Sequence, residues 1–214
     1  DGKPDLESIE ALDIDLFNQN MLDLINGEEV TLPKFDFKVG HRVEGRKLRV
    51  GPDEPIIIEG IHALNDMMTP SIPSHQKFKI YIAPQAQVNI DNHNPLPLTD
   101  LRLLRRIVRD SKFRNYPAVR TLAVWDSVRL GEEKNIFPYQ DEADVVFNTS
   151  LVYEMCILKT YVLPLLFSVD PEDENYGEAI RLMKLLNLFL PIPSEAIPDD
   201  SIVREFIGGG CFLE

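Results

Sequence analysis

Two groups of residues in this chain have the types and spacing of a site for charged oxygen ligands. The first is one carboxylate, Glu59, carried at the end of Pro55-Ile56-Ile57-Ile58 and followed at once by Gly60. Three β-branched residues in a row predict a strand covered on both faces, and Gly60 lets the chain turn directly into a helix. In open parallel α/β sheets ligands bind at the carboxyl ends of the strands. A carboxylate there can hold a Mg²⁺ that bridges nucleotide phosphates. The plainer reading is a core strand with an acid exposed at its end. The second group is basic: Arg102, Arg105, Arg106 and Arg109 fall at i, i+3, i+4 and i+7, so one helix face carries four guanidinium groups. Lys112, Arg114 and Arg120 extend it, giving seven cations against Asp100 and Asp110 between residues 100 and 120. Like charges at this spacing repel, so something must compensate them. Ion pairs within an acid-rich protein would do so. So would phosphoryl oxygens, which planar guanidinium forks match two at a time, and that is the reading adopted here.

The elements that carry these residues follow from hydrophobic period and turn residues. Residues 1–13 are acidic and loop-like. Asp15 to Asn26 has Leu16, Met21, Leu22, Leu24 and Ile25 at helical spacing, with Gly27 as its stop. Val30 to Val50 alternates and turns through Gly40 and Gly45, which predicts a β-ribbon. The 55–59 strand and a short helix come next, then a strand over Lys77 to Ile82. After a polar loop from Asn89 to Pro97, Thr99 or Asp100 is positioned to cap a long helix that reaches Phe113, and Pro117 suits the first turn of another. The long helix has Leu101, Leu104 and Val108 on a separate, apolar face. Asp144 to Phe147 makes a short strand, and helices are expected over Leu151 to Leu166 and about Glu172 to Leu190. Strands alternating with helices give an α/β class.

Composition narrows the function. The 214 residues are 44% hydrophobic and 27% charged, ordinary for a globular protein with a full core. A formal net charge of −13 argues against nucleic acid as the main partner, so a polyanionic ligand has to be met by a local basic patch. No apolar run has the length of a membrane span, and no signal peptide opens the sequence. Cys156 and Cys211 are far apart and lack metal-ligand spacing; Cys156 is expected to be a buried thiol, and a reducing cytoplasm fits. His62, His75 and His93 read as packing or surface residues, and Glu132, Glu133 and the 170–174 acidic run as solvated surface.

Several segments, in order, resemble the uridine kinase branch of the P-loop nucleoside kinases, with phosphoribulokinase more distant. Leu6-Glu7-Ser8-Ile9-Glu10-Ala11-Leu12-Asp13 resembles the family's FDHPDAFD segment. Gly27, Val30, Pro33, Phe35-Asp36-Phe37 and Arg42 resemble its ribbon; Glu59-Gly60-Ile61 matches its VVxEGI; Arg105-Arg106-Ile107-Val108-Arg109-Asp110 matches its RRxxRD lid; and Ala143-Asp144 matches the pair that introduces its last strand. The resemblance runs from about Leu6 to Leu166. It implies a P-loop NTPase-like parallel sheet flanked by helices, incomplete at the N-terminus, with a β-ribbon insertion and a C-terminal helical extension. The corresponding division is an α/β domain over 1–168 and a helix and tail over 169–214.

The resemblance also implies roles. Glu59 would ligand Mg²⁺ directly or through water, and Arg106, Arg109 and Arg114 would contact the phosphates of ATP. Glu7 stands where the family has an aspartate that holds ribose hydroxyls. Phe35 replaces the tyrosine that flanks the base. The base-reading histidine falls at Gly40, with His41 one place on, and Arg42 matches the ribbon arginine. The implied partner is a nucleoside or another small acceptor, without nucleic acid or membrane. Ser127 to Asn148, with Trp125-Asp126 before it, and Ser201 to Gly209 resemble a bacterial subgroup in which such a domain follows a TGS and threonyl-tRNA-synthetase-like region.

No GxxxxGK[ST] occurs around any of the eleven glycines. That motif would supply the lysine and hydroxyl for phosphates and Mg²⁺. By the same resemblance the family's catalytic aspartate, the general base, would lie upstream of Asp1, so no catalytic residue is expected within the chain itself. The expectation is therefore a C-terminal portion of a phosphotransferase, inactive by itself, that associates with its missing segment or with a second copy. Two alternatives stay open: a module that holds nucleotide without turnover, and a kinase for a non-nucleoside sugar or alcohol, the latter motivated by Phe35 and Gly40.

Overall fold

The computed structural model describes residues 8–36, 41–85 and 88–212, with residues 35 and 36 described by their backbone only. The chain divides into two compact units, residues 1–81 with 130–145 and residues 82–129 with 146–214. Each has its own apolar cluster.

In the first unit, α1 (Ile14–Ile25) is capped by Asp13, whose carboxylate accepts from the Leu16 amide at 3.1 Å. Gly27 closes α1 at φ +77°, a conformation that costs a residue with a side chain about 1 kcal/mol or more. The Gly27 carbonyl then accepts from Arg49 Nε at 2.7 Å. Strands β1 (Val30–Asp36) and β2 (His41–Leu48) pair antiparallel, as the alternation predicts, with an irregularity between Thr31 and Pro33. Met21 and Leu24 of α1 pack with Val30 and Ile72, and the half-buried Ile56 and Ile58 lean on the same cluster. Asn18 is buried among them and bridges distant backbone, donating to the Met68 carbonyl at 3.1 Å and accepting from the Ser71 amide at 3.3 Å.

The 55–59 segment corrects the expectation of a strand covered on both faces. It is extended but belongs to no described ladder, and Ile57 is 88% exposed. Its side chains alternate, Ile56 and Ile58 inward and Ile57 outward, which a run of three identical residues cannot reveal. The helix expected after Gly60 is a turn over 61–64 followed by a 3₁₀ turn, Asp66–Met68, which Asn65 caps.

Strand β3 (Ile80–Ala83) and strand β4 (Val145–Asn148) form a second, two-stranded sheet. The Lys79 carbonyl accepts from the Asp144 and Val145 amides and the Ala83 carbonyl from Thr149, so partners advance together and the strands are parallel.

The second unit is helical. Its spine is α2 (Leu98–Arg114), which buries Leu101, Leu103, Leu104, Ile107 and Val108. Neither Thr99 nor Asp100 caps it: Pro97 holds that position without a side-chain bond. Asp100 lies in the first turn and forms a two-pronged pair with Arg181, both bonds 2.7 Å. Asn115 ends the helix in the left-handed region at φ 53°, and Pro117 precedes α3 (Ala118–Ala123). Helix α4 (Trp125–Asn135) begins with the lone tryptophan, buried in this unit's cluster. Around α2 pack α5 (Glu154–Phe167, with Pro164 inside it) and α7 (Arg204–Ile207); α6 (Tyr176–Leu186) packs on α5. No helix among the described residues is long and apolar enough to cross a membrane.

One ion pair lies inside this core. Glu154 is 1% exposed and takes both prongs of Arg105, with Nη2 to Oε2 at 2.7 Å. Two further N–H groups of Arg105 reach the Thr149 carbonyl at 2.8 Å and hydroxyl at 3.2 Å. Removing one partner would strand the other charge in a dry site, at a cost of about 3–5 kcal/mol. Glu154→Gln should therefore lower the urea midpoint sharply, whereas Arg105→Met with Glu154→Leu should recover most of the loss. A double variant no more stable than the single one would show that the pair itself holds the core.

The first unit has a surface ion network instead. Asp66 accepts from Lys77 Nζ at 2.8 Å and pairs with Lys79 at 3.1 Å. These two lysines hold its carboxyl below the usual carboxylate range. Its stabilisation is therefore complete above the unfolded value, about 3.9, and disappears as pH falls through the lower folded value. With Asp66 62% exposed the effect is at most about 1 kcal/mol. A urea midpoint followed from about pH 5 to about pH 2.5 should fall more steeply in the parent than in Asp66→Asn, the two converging at the acid end. Parallel curves would remove Asp66 from the acid response.

Candidate functional site

The described cations of α2 have different partners. Arg105 is turned into the core, and Lys112 donates to the carbonyl of Ile207, so neither belongs to an open phosphate face. Arg120 lies over the Tyr116 ring, 3.7 Å from its centroid. Arg106, Arg109 and Arg114 instead gather on one carboxylate. Asp110, 2% exposed, accepts from Arg106 Nε at 3.3 Å, Arg114 Nη1 at 3.0 Å and the Thr121 hydroxyl of α3 at 3.2 Å. Arg109 Nε stands 3.9 Å from the same carboxylate.

Helix geometry explains the gathering. Asp110 is four residues after Arg106 and four before Arg114, so both reach it along one face. Three cations on one anion leave a local excess of positive charge in a chain of net charge −13. Arg109 is the strained member. Its Nε is buried without a hydrogen-bond partner among the described residues. Burial first, then Arg114 and Arg106, make its guanidinium easier to deprotonate than an ordinary arginine. An anion arriving here would supply the missing acceptor and offset the repulsion. Of the helix face of four arginines from 102 to 109, Arg105 turns away from the ridge, and the three arginines that gather on Asp110 are the three that the resemblance assigned to phosphate. Asp110 as its organiser was missed, although its spacing to both neighbours was visible.

The other predicted site residues lie in the first unit. Glu59 is exposed at the end of the extended 55–59 segment. His62, three residues on, is buried. On the ribbon, Phe35 is opposite Arg42 and Asp36 is opposite His41. Arg42 reaches Asp13 at 2.5 Å, tying β2 to the cap of α1. Arg42 and the Leu16 amide hold the Asp13 carboxyl below its usual range. Glu7, Gly40 and the Phe35 side chain lie outside the described residues. So does Asp1, the residue upstream of which the catalytic base is expected. Two minor expectations change: Glu132 is buried rather than solvated, and Cys156 is only partly buried.

No group of three or more His, Cys, Asp or Glu among the described residues is placed to hold a metal ion. A single exposed carboxylate such as Glu59 still fits Mg²⁺, which takes one or two carboxylates and completes its shell with water and phosphate oxygens.

Comparison with known proteins relates the sequence to a family. Residues 3–154 match the model described as "Phosphoribulokinase / Uridine kinase family". A protein described as "Uridine kinase" from Staphylococcus carnosus (strain TM300) is 31% identical over 137 residues, covering 64% of this chain and 58% of that protein. One of the same description from Staphylococcus haemolyticus (strain JCSC1435) is 35% identical over 104 residues, covering 49% and 42%. The chain thus spans about half the length of the curated relatives it matches. With more than half of its residues inside the family model, the chain belongs to the phosphoribulokinase / uridine kinase family.

Proposed function

We propose that this chain is part of an ATP-dependent phosphotransferase that moves the terminal phosphoryl group to a hydroxyl of a nucleoside or a similar small acceptor. The carrying observation is the gathering of Arg106, Arg109 and Arg114 on the buried Asp110. The family and the uridine kinases among its relatives support the reaction class. Phosphoryl transfer asks a protein mainly for positioning and for neutralisation of charge spread over the phosphate oxygens.

Each residue has a part in that reading. Arg106 and Arg114, held in place by Asp110, keep donors free for phosphate oxygens, and Arg109 gains the acceptor it lacks. Glu59 would hold Mg²⁺, which offsets phosphate charge when bound. Arg42, fixed by Asp13, and His41 are the ribbon residues assigned to the acceptor, and Phe35 and Glu7 would contact its ring and its hydroxyls. These 214 residues contain no GxxxxGK[ST], so in this reading none of them is assigned as the phosphate-cradle lysine or the general base. The chain by itself then binds more than it catalyses. In the same reading residues 169–214 are an appendage to a kinase domain over 1–168, fastened through Arg181 to Asp100 and Lys112 to Ile207. The compartment is the cytoplasm, and the longer polypeptide is of the kind with a TGS and threonyl-tRNA-synthetase-like region.

A second reading is a module that holds nucleotide without turnover. The full-length polypeptide carrying this sequence, given labelled ATP and a panel of nucleosides and small sugars, separates the two. Transfer to one acceptor establishes the kinase and names the acceptor class; binding of ATP with no transfer across the panel establishes the module. In either case Arg109→Ala should weaken MgATP binding by about 10-fold or more, the worth of a charge-assisted bond, with stability changed by less than about 0.5 kcal/mol. Unchanged binding would take the ridge out of the site.

A further inference from the structure

Beyond residue 154, where the family match ends, the short helix α7 packs on α2. It grips α2 at two places. The Arg105 guanidinium sits over the Phe206 ring, 5.1 Å from its centroid, and Lys112 Nζ donates to the Ile207 carbonyl. Arg106 and Arg109 fall between those two points along α2, and Arg114 is two residues past the second. The ridge therefore projects from the stretch that α7 holds.

That stretch needs holding. Asp110 and Arg114 belong to the last turns of α2, and helix ends fray unless outside partners fix them. On one side α3 supplies a partner, the Thr121 hydroxyl that donates to Asp110. Lys112 leaves the helix about 200° further round than Asp110, so its bond to α7 braces the opposite side. The brace is itself anchored. Val203, Phe206 and Ile207 are buried in the apolar cluster of this unit. Arg204 Nη2 donates to the carbonyls of Ser194 at 3.0 Å and Ile197 at 2.6 Å. Gly208 follows at φ +77°, and a Cβ there would run into Lys112 Nζ. Backbone conformation and close approach thus both require glycine at the point where the tail meets α2.

We propose that α7 is a positioning element for the arginine ridge, with Phe206 and Gly208 as its positioning residues. By clamping α2 at Arg105 and Lys112 it keeps Arg106, Arg109 and Arg114 in the arrangement that a polyphosphate meets. Its contribution is ordering, which the arginines would otherwise undergo only as the anion arrives. The inference rests on the proposed reading of the ridge as a phosphate site.

The test uses the full chain, with inorganic tripolyphosphate titrated calorimetrically and hydrogen exchange followed at the amides of residues 106–114. Gly208→Ala breaks the close approach at Lys112, and Phe206→Leu removes the ring at Arg105. Neither changes the charge of the chain. In each variant exchange over 106–114 should quicken while the chain stays folded. Tripolyphosphate should then bind about 3- to 10-fold more weakly, the cost of ordering one or two long side chains. Should Gly208→Ala fail to fold, Phe206→Leu decides alone; if neither folds, the tail is core structure and the proposal is overturned. Unchanged affinity, or weaker binding without faster exchange, also rejects the brace, and the phosphate ridge still stands if Arg109→Ala loses binding. If Arg109→Ala binds tripolyphosphate like the parent, the ridge reading falls and the brace falls with it.

Discussion

One buried carboxylate makes the cationic face of this protein possible. Asp110 is almost fully covered, and three guanidinium groups and a hydroxyl donate to it or crowd it. A carboxylate so far from water is tolerable only if its lone pairs are filled, and here they are filled from two helices. The arrangement works in both directions. The arginines satisfy Asp110, and Asp110 holds together three like charges spread over little more than two turns without neutralising them. The result is a pre-assembled positive site whose arginines need little further ordering when an anion arrives.

The second unit's interior contains the opposite solution. At Arg105 and Glu154 the charges match one to one, and two further bonds of the guanidinium end on the carbonyl and hydroxyl of Thr149. Arg105 and Arg106 are adjacent in sequence, but one is structural and the other faces a candidate site. The difference is set by what each meets: Glu154, from a helix 49 residues away, or Asp110, one turn along.

That contrast also explains what could be read in advance. Features set by local spacing were legible: α1 and its Gly27 stop, the ribbon, the apolar stripe of α2, the Asn115-Tyr116-Pro117 break and the strand beginning near Asp144. The family resemblance was legible because it too is a pattern of local segments in order. Features set by long-range partners were not. The three isoleucines at 56–58 could not show which would face water, since that depends on the Met21, Leu24 and Ile72 cluster. The exposed-looking Glu132 turned out buried, and Asp100 exchanged a capping role for a pair with Arg181, 81 residues distant. In the site, helical spacing alone could not separate Arg105 from Arg106, because arginines on one stripe look alike until their carboxylates are known; the family resemblance, which picks out Arg106, Arg109 and Arg114, supplied that distinction.

The lone tryptophan gives this two-unit chain an unequal optical signature. Trp125 is buried in the apolar cluster of the helical unit, while the ribbon unit has no indole at all. Tryptophan emission is thus a private channel to the helices that carry the arginines. The ribbon and the Glu59 segment, without an indole of their own, are followed through backbone or tyrosine signals instead.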